Sequence, residues 1–106
     1  VKAILNIHNI RYVNGKKDKI KTIALCGGSG TDFIDDALRE RVDCFLTGDV
    51  KYHQFLDCEN RFLLADIGHF ESENFIKEYL FSLLSENFCN FANLHLDNSA
   101  NHIKNI

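Results

Sequence analysis

Three short apolar runs, each ended by a polar turn and followed by helical spacing, constrain this chain more than any other feature. The runs are Thr22–Cys26, Cys44–Leu46 and Arg61–Ala65. They are too short for helices, and short apolar runs between turn signals favour buried strands. Because strands alternate with helices, the pattern predicts an α/β fold: a layered sandwich of a mostly parallel sheet with helices, built from repeated strand-turn-helix units.

Helical spacing follows each of the three runs. Helices are predicted from Thr31 onward, over Tyr52–Asp57 and over His69–Glu86, the last as one strongly amphipathic helix. Two further elements carry weaker patterns. The segment Val1–Ile10 is interpreted as the end of a helix, and the alternating segment Phe91–Leu96 as a half-buried edge strand.

Length and composition favour one small globular domain over residues 1–106. The chain is 45% hydrophobic and 25% charged, and no apolar run approaches the roughly 18 residues of a membrane span. It contains no Met and opens on Val1, which predicts a piece of a longer polypeptide. No segment resembles a signal peptide, so a cytoplasmic location is expected.

The cysteines and the charge pattern indicate an intracellular protein without a nucleic-acid surface. Cys26, Cys44, Cys58 and Cys89 form no C-x-x-C pair, which predicts buried free thiols in a reducing compartment. The segment Arg11–Lys21 is basic, whereas the whole chain has a net charge of -3. We interpret this segment as a solvated loop, because nucleic-acid binding would require a basic total and interleaved aromatic residues.

Polar turns follow the three predicted strands, at Gly27–Gly30, Thr47–Asp49 and Asp66–His69. In an open, mostly parallel sheet, ligands gather beyond the carboxyl ends of the strands. The three turns together are therefore the candidate functional site.

The first turn, Gly27–Gly30, has two interpretations. It is neither a dinucleotide fingerprint nor a P-loop, since the third glycine of the one and the Lys-Ser/Thr of the other are missing. Gly28 and Ser29 could contact substrate through backbone groups that face an anion. A tight strand-to-helix turn that needs positive φ angles accounts for the glycines equally well.

The third turn leads into a pair of metal-capable side chains. His69 and Glu73 are spaced i, i+4 and share one helix face, whereas Glu71 points to the opposite side. A metal site is one interpretation; a core histidine beside a partly exposed glutamate is the other. Asp66 is a candidate acceptor that would orient the His69 imidazole.

The segment Thr47–His53, which begins with the second turn, brings an acid, a cation, a phenol and an imidazole into one strand-to-helix connection. His53 is a candidate general acid or base because the ordinary histidine pKa lies near neutrality, and a surface histidine is the alternative. Asp49 is a second catalytic candidate or a helix cap. Tyr52 is a candidate substrate contact.

Three blocks, read in order, resemble one known family. They are G-G-S-G (27–30), T-G-D-V-K-Y-H (47–53) and D-I-G-H-F-E-S-E (66–73). Together they closely resemble the C-terminal part of the Nif3-like dinuclear-metal-centre proteins, catalogued as the type 2 GTP cyclohydrolase I family. The resemblance implies that His69 and Glu73 are metal ligands. The family's other ligands, a His-His pair and an Asp, belong to an N-terminal half without counterpart here.

The resemblance also implies a function for the longer protein. It implies two divalent metal ions, with zinc, iron, manganese and nickel equally compatible with His and carboxylate ligands. It implies a hexamer and hydrolysis of a nucleotide-like small molecule. This chain alone is expected to bind metal weakly or not at all. The alternative function is a non-catalytic, metal-stabilised interaction module.

Overall fold

The computed structural model describes residues 1–88 and 95–103. Its helices and strands follow in the order α1 (Lys2–Leu5), β1 (Arg11–Val13), β2 (Ile23–Leu25), a 3-10 turn (Thr31–Phe33), α2 (Ile34–Arg39), β3 (Cys44–Thr47), α3 (Tyr52–Cys58), β4 (Leu63–Asp66), α4 (His69–Glu73) and α5 (Ile76–Asn87). No helix within the described ranges is long and apolar enough to cross a membrane.

The strands form one sheet in the order β1-β4-β3-β2. β2, β3 and β4 are the three apolar runs of the sequence and pair in parallel, with Ile23 opposite Cys44 and Cys44 opposite Leu63. The expected α/β class with a mostly parallel sheet is therefore confirmed. α2 and α3 are the two crossovers between these strands.

β1 was not predicted, because it lies in the segment interpreted as a solvated loop. It pairs antiparallel with β4 and places Arg11 directly opposite Asp66. Three residues are too few to show an alternating pattern, and the exposed Arg11 and Tyr12 resemble loop residues. The cross-strand ion pair of Arg11 with Asp66 joins this strand to the sheet.

Apolar side chains are buried on both faces of the sheet. One cluster contains Phe45 and Leu64 together with α2 and α3 residues such as Ala37 and Phe55. The other contains Cys44, Leu46, Ala65 and Ile67, against which Leu5, Ile7 and Ile10 pack. All four residues of β3 are buried. A strand covered on both faces reads as a continuous apolar run, which explains why these strands were visible in the sequence.

Asp43, immediately before β3, attaches the rest of the basic segment to the sheet. Its carboxylate accepts hydrogen bonds from the Lys17 ammonium and from the N–H groups of Lys21 and Thr22, at 2.9 and 3.0 Å for the latter two. The Lys17 ammonium and these two N–H groups hold the pKa of Asp43 well below its ordinary value of 3.8, although burial opposes them. Part of the segment interpreted as a solvated loop is therefore held in place by hydrogen bonds to a buried carboxylate.

The predicted continuous helix over His69–Glu86 is wrong. α4 ends at Glu73 and α5 begins at Ile76, with a turn between them. Within α4 the Ser72 hydroxyl donates to the His69 carbonyl at 2.8 Å. The chain divides at this turn into two compact units, Val1–Glu73 and Asn74–Ile106.

Because α4 and α5 are separate helices, the spacing of residues in α5 does not place them on the helix face of His69 and Glu73. In the described part of the chain, apolar residues of α5 such as Leu80 and Leu83 are 46% and 43% exposed. Leu80 and Leu83 are therefore not buried core residues.

The cysteine prediction is met at two positions and differs at a third. Cys44 and Cys58 are buried free thiols, and burial raises the pKa of both. Cys26 is free but only partly buried. Cys89 lies outside the described residues, as does most of the strand predicted over Phe91–Leu96; its last two residues form no strand.

Asp43→Asn is expected to lower the urea midpoint at pH 7. The folded-state pKa of Asp43 is depressed, so its contribution is present above the ordinary value of 3.8 and is lost as the pH falls through the folded-state pKa. Urea titrations at several pH values should therefore show a variant deficit that shrinks in acid. Asp18→Asn, an exposed carboxylate of the same segment, is the control. Equal midpoints for Asp43→Asn and wild type at pH 7 would contradict this role.

Candidate metal centre

The three polar turns meet at one edge of the sheet because β2, β3 and β4 run in parallel. Hydrogen bonds connect neighbouring turns directly. The Gly48 N–H donates to the Gly28 carbonyl at 2.8 Å, and the Ile67 N–H donates to the Thr47 carbonyl at 2.8 Å. Residues far apart in the sequence therefore form one surface at the carboxyl ends of the strands.

The backbone conformations of Gly48 and Asp49 allow the second turn to lie close to the third. A Cβ atom on Gly48 would lie 2.8 Å from the His69 backbone nitrogen and 2.9 Å from the Gly28 carbonyl oxygen, so the close approach requires glycine. Asp49 adopts a φ of 57°, a left-handed conformation that Asp tolerates better than most residues. From this position the Asp49 carboxylate reaches the His69 ring.

His69 is held between two carboxylates. Its Nδ1 lies 2.6 Å from Asp49 Oδ2, and its Nε2 lies 3.2 Å from Glu73 Oε2. The i, i+4 pairing of His69 with Glu73 was predicted from their spacing. The orienting acceptor was predicted to be Asp66, and here the prediction is wrong: Asp49 occupies that position.

Asp66 is buried and fully engaged elsewhere. Its carboxylate binds the Arg11 guanidinium and accepts hydrogen bonds from the N–H groups of Val50 and Gly68, at 3.2 and 3.0 Å. Arg11 also donates to the Val50 carbonyl and lies over the Phe55 ring, 5.6 Å from its centroid. Asp66 therefore organises the second and third turns without touching the imidazole.

The two carboxylates affect the protonation of His69. The hydrogen bond with Asp49, followed by the charges of Asp49 and Glu73, raises the pKa of His69 above its ordinary value of 6.5, although desolvation opposes the shift. In the neutral ring, Nδ1–H donates to Asp49, so the Nε2 lone pair faces the Glu73 oxygen. Two acceptor atoms 3.2 Å apart repel each other unless a positive charge lies between them. That charge is either a proton on Nε2 or a metal ion.

The spacing of His69 Nε2 and Glu73 Oε2 fits two ligands of one metal ion. Two N or O ligands at about 2.0–2.2 Å from one ion lie about 2.8–3.6 Å apart over the range from octahedral to tetrahedral angles, and the 3.2 Å between Nε2 and Oε2 falls in this interval. Histidine ligands almost always donate their other ring N–H to a carboxylate or carbonyl, as His69 does to Asp49. Within residues 1–88 and 95–103, no group of three or more His, Cys, Asp and Glu side chains is placed to hold a metal ion.

Gly28 lies against the same pair, and two amides of its loop are bonded within the protein. A Cβ atom on Gly28 would lie 2.3 Å from Glu73 Oε1 and 3.4 Å from His69 Nε2. The N–H groups of Gly28 and Gly30 donate to the hydroxyls of Ser72 and Thr47, at 2.9 and 2.8 Å. These two amides are therefore committed within the protein and do not face an anion. Ser29 is exposed.

The remaining predicted site residues, Tyr52 and His53, are not bonded to the His69 cluster in the described part of the chain. Tyr52 is 77% exposed. His53 lines a groove of about 510 Å³ whose walls include Asp32, Asp57 and Arg61. Among the described residues, no hydrogen bond or ion pair joins His53 or Tyr52 to His69. The structure thus brings together four of the predicted site residues, Gly28, Asp49, His69 and Glu73.

Three side chains that hold the site in place were not identified from the sequence. They are Arg11, Thr47 and Ser72, which act through hydrogen bonds to residues at least 17 positions away. Thr47 and Ser72 belong to the polar blocks around the second and third turns. Their place in these blocks is the one feature of the sequence that could have pointed to a role in the site. Nothing in their local spacing indicates which backbone groups they bind.

Asp49→Asn is expected to lower the pKa of His69 toward 6.5, because the charge of Asp49 is lost and its hydrogen bond with the ring, the main cause of the elevation, becomes a weaker neutral one. A histidine NMR titration of the metal-free chain, with His69 assigned from a His69→Gln variant, measures the change. Asp57→Asn, an exposed carboxylate on α3, is the matched control and should leave the titration unchanged. If His69 titrates identically in wild type and Asp49→Asn, the role of Asp49 is refuted.

Comparison with solved structures and curated proteins gives one consistent family. A crystal structure of a Staphylococcus aureus protein superimposes with a TM-score of 0.72 and 41% identity, over 80% of this chain and 28% of that one. A Campylobacter jejuni protein named GTP cyclohydrolase 1 type 2 homolog is 49% identical over 76% of this chain and 32% of its own length. A Staphylococcus aureus protein of the same name is 39% identical over 97% of this chain and 28% of its own length.

The match extends over almost the whole sequence. The chain spans about a third of the length of the curated relatives named above. The family model for Duf34/NIF3 (NGG1p interacting factor 3) matches residues 1–102. The chain therefore belongs to the Duf34/NIF3 family.

Proposed function

We propose that this chain contributes two ligands, His69 Nε2 and the Glu73 carboxylate, to a dinuclear divalent-metal site. The observation that carries the proposal is the 3.2 Å separation of these donors, with Nδ1 of the same ring held by Asp49. Two ligands do not complete a site for two ions. We therefore propose that the chain is the C-terminal portion of a longer protein, whose N-terminal half supplies the His-His pair and Asp that the resemblance implies.

The proposed activity of that longer protein is metal-dependent hydrolysis of a nucleotide-like small molecule. The names of the curated relatives, GTP cyclohydrolase 1 type 2 homologs, support this substrate class. When bound, divalent ions supply Lewis acidity and lower the pKa of a water molecule. Zinc, iron, manganese and nickel all suit a His and carboxylate donor set.

In this proposal, residues of the first turn and of the start of α3 bind the substrate or transfer its proton. His53 is the proton-transfer group, and its exposed ring at the groove wall is accessible to a ligand. Asp49 fixes the tautomer of His69 through the Nδ1 hydrogen bond. Gly28, Ser29 and Tyr52 are the proposed substrate contacts, of which Ser29 and Tyr52 are exposed.

The proposal extends to assembly and location. The longer protein would form a hexamer, in which this chain is a single layered α/β domain of repeated strand-turn-helix units. A cytoplasmic location is supported by the free thiols of Cys26, Cys44 and Cys58. Neither nucleic acid nor membrane is a proposed partner.

A nucleotide hydrolysis screen on the full-length protein tests the activity. Turnover that rises and falls with metal occupancy supports the hydrolase. Metal-dependent partner binding without turnover of any nucleotide would instead favour the non-catalytic interaction module. Elemental analysis of the same preparations identifies the metal.

Glu73→Gln is expected to weaken Zn²⁺ binding to the full-length protein by at least about tenfold, since even partners of metal ligands contribute about 10–100-fold. Elemental analysis after dialysis measures the occupancy. Glu71→Gln is the matched control, because the Glu71 carboxylate lies against Gly68, whereas that of Glu73 lies at His69 Nε2. Equal metal loss from both variants would contradict the ligand assignment.

His53→Ala is expected to separate metal content from turnover. Among the described residues, no hydrogen bond or ion pair joins His53 to Asp49, His69 or Glu73, so metal content should stay near wild type. Turnover on a nucleotide-like substrate should fall on the order of a hundredfold or more, as loss of a general acid or base does. If metal and activity fall in proportion, His53 acts as a ligand or its support. If neither changes, His53 is a surface histidine.

A further inference from the structure

Two buried hydroxyls hold the Gly28 peptide groups from opposite sides. Ser72 Oγ accepts the Gly28 N–H at 2.9 Å. Thr47 Oγ1 donates to the Gly28 carbonyl at 3.2 Å, where the Gly48 N–H also donates at 2.8 Å. Ser72 is 5% exposed and Thr47 is fully buried. The backbone of this glycine is therefore fixed at both its donor and its acceptor.

The orientation of each hydroxyl is determined by a second bond. Ser72 Oγ donates its proton to the His69 carbonyl at 2.8 Å, so it meets the Gly28 N–H as an acceptor. Thr47 Oγ1 accepts the Gly30 N–H at 2.8 Å, so its proton is directed to the Gly28 carbonyl. Each hydroxyl has one proton to donate, and each proton is used. Ser72 thereby connects the first turn to the backbone of the residue that carries the imidazole.

This arrangement places the Cα atom of Gly28 against the Glu73 carboxylate. Gly28 adopts a φ of 63°, and a Cβ atom built on it would lie 2.3 Å from Glu73 Oε1 and 3.1 Å from Glu73 Cδ. The carboxylate lies on an exposed helix residue with no other hydrogen-bonding partner than His69 among the described side chains. Its position next to Nε2 therefore depends on the glycine beside it.

We infer that Ser72 is a positioning residue that fixes Gly28 so that the glycine confines the Glu73 carboxylate beside His69 Nε2. Without the Ser72 hydroxyl, the buried Gly28 N–H loses its partner, and the loop must move for that N–H to reach water. The movement takes the Gly28 Cα away from Glu73. The inference rests on the proposed metal site for its functional meaning, but the confinement itself belongs to the metal-free chain.

The first experiment compares wild type, Ser72→Ala and Ser72→Thr by NMR in the metal-free chain. Ser82→Ala, an exposed serine on α5, is the control. Ser72→Ala should lose the nuclear Overhauser effect between the Gly28 Hα and Glu73 Hγ protons and should exchange the Gly28 amide about tenfold faster or more, as a locally opened amide does. Amides of β3 should keep their protection, and Ser72→Thr should restore both signals. An unchanged contact and an unchanged exchange rate in Ser72→Ala would overturn the inference.

The second experiment measures Zn²⁺ affinity of the full-length protein with the same variants. Ser72→Ala should weaken binding by about tenfold or more, the lower end of the effect of a supporting partner, and Ser72→Thr should recover it. Full Zn²⁺ affinity in Ser72→Ala would overturn the positioning role even if the Gly28 contact is lost. Absence of Zn²⁺ binding in the wild type would instead refute the proposed function, and the NMR contact would then decide the inference alone.

Discussion

The in-register parallel pairing of β2, β3 and β4 is the constraint on which the candidate site depends. Parallel strands end at the same edge of a sheet, so the three turns that follow them are brought side by side. The hydrogen bonds from Gly48 to Gly28 and from Ile67 to Thr47 continue this register beyond the strands. A shift of one residue in either pair would exchange the two faces of a strand and separate the turns. The burial of all of β3 makes such a shift costly.

The same edge of the sheet contains buried polar groups that are all partnered in the described part of the chain. Asp66 is the main example, since its carboxylate is compensated by the Arg11 guanidinium and two backbone N–H groups. An unpaired buried charge would be very costly, so these partners determine where β1 and the second turn lie. The hydroxyls of Thr47 and Ser72 satisfy backbone donors of the first turn in the same way. The site therefore depends on hydrogen bonds of buried groups, whose loss would destabilise the fold.

The His69 cluster has the organisation of one side of a metal site. One ring nitrogen faces Asp49, which fixes the tautomer, and the other faces Glu73 across a gap suited to a cation. Glu73 is exposed, and its carboxylate lies against Gly28. In the proposed function, which concerns a longer protein, this chain contributes the His69–Glu73 donor pair, and the remaining ligands come from the part of that protein outside this chain.

The sequence by itself determined the features that depend on local spacing. Apolar runs revealed the three parallel strands, and the i, i+4 interval of His69 and Glu73 placed both on one helix face, because strand and helix periodicity fix the direction of neighbouring side chains. Only the tertiary structure decided that β1 joins the sheet, that Asp49 orients His69, and that Ser72 bonds to a glycine 44 positions away. These contacts depend on strand register and on turn conformations such as the positive φ of Asp49. Such quantities are set by the packing of distant segments, and no local pattern in the sequence records them.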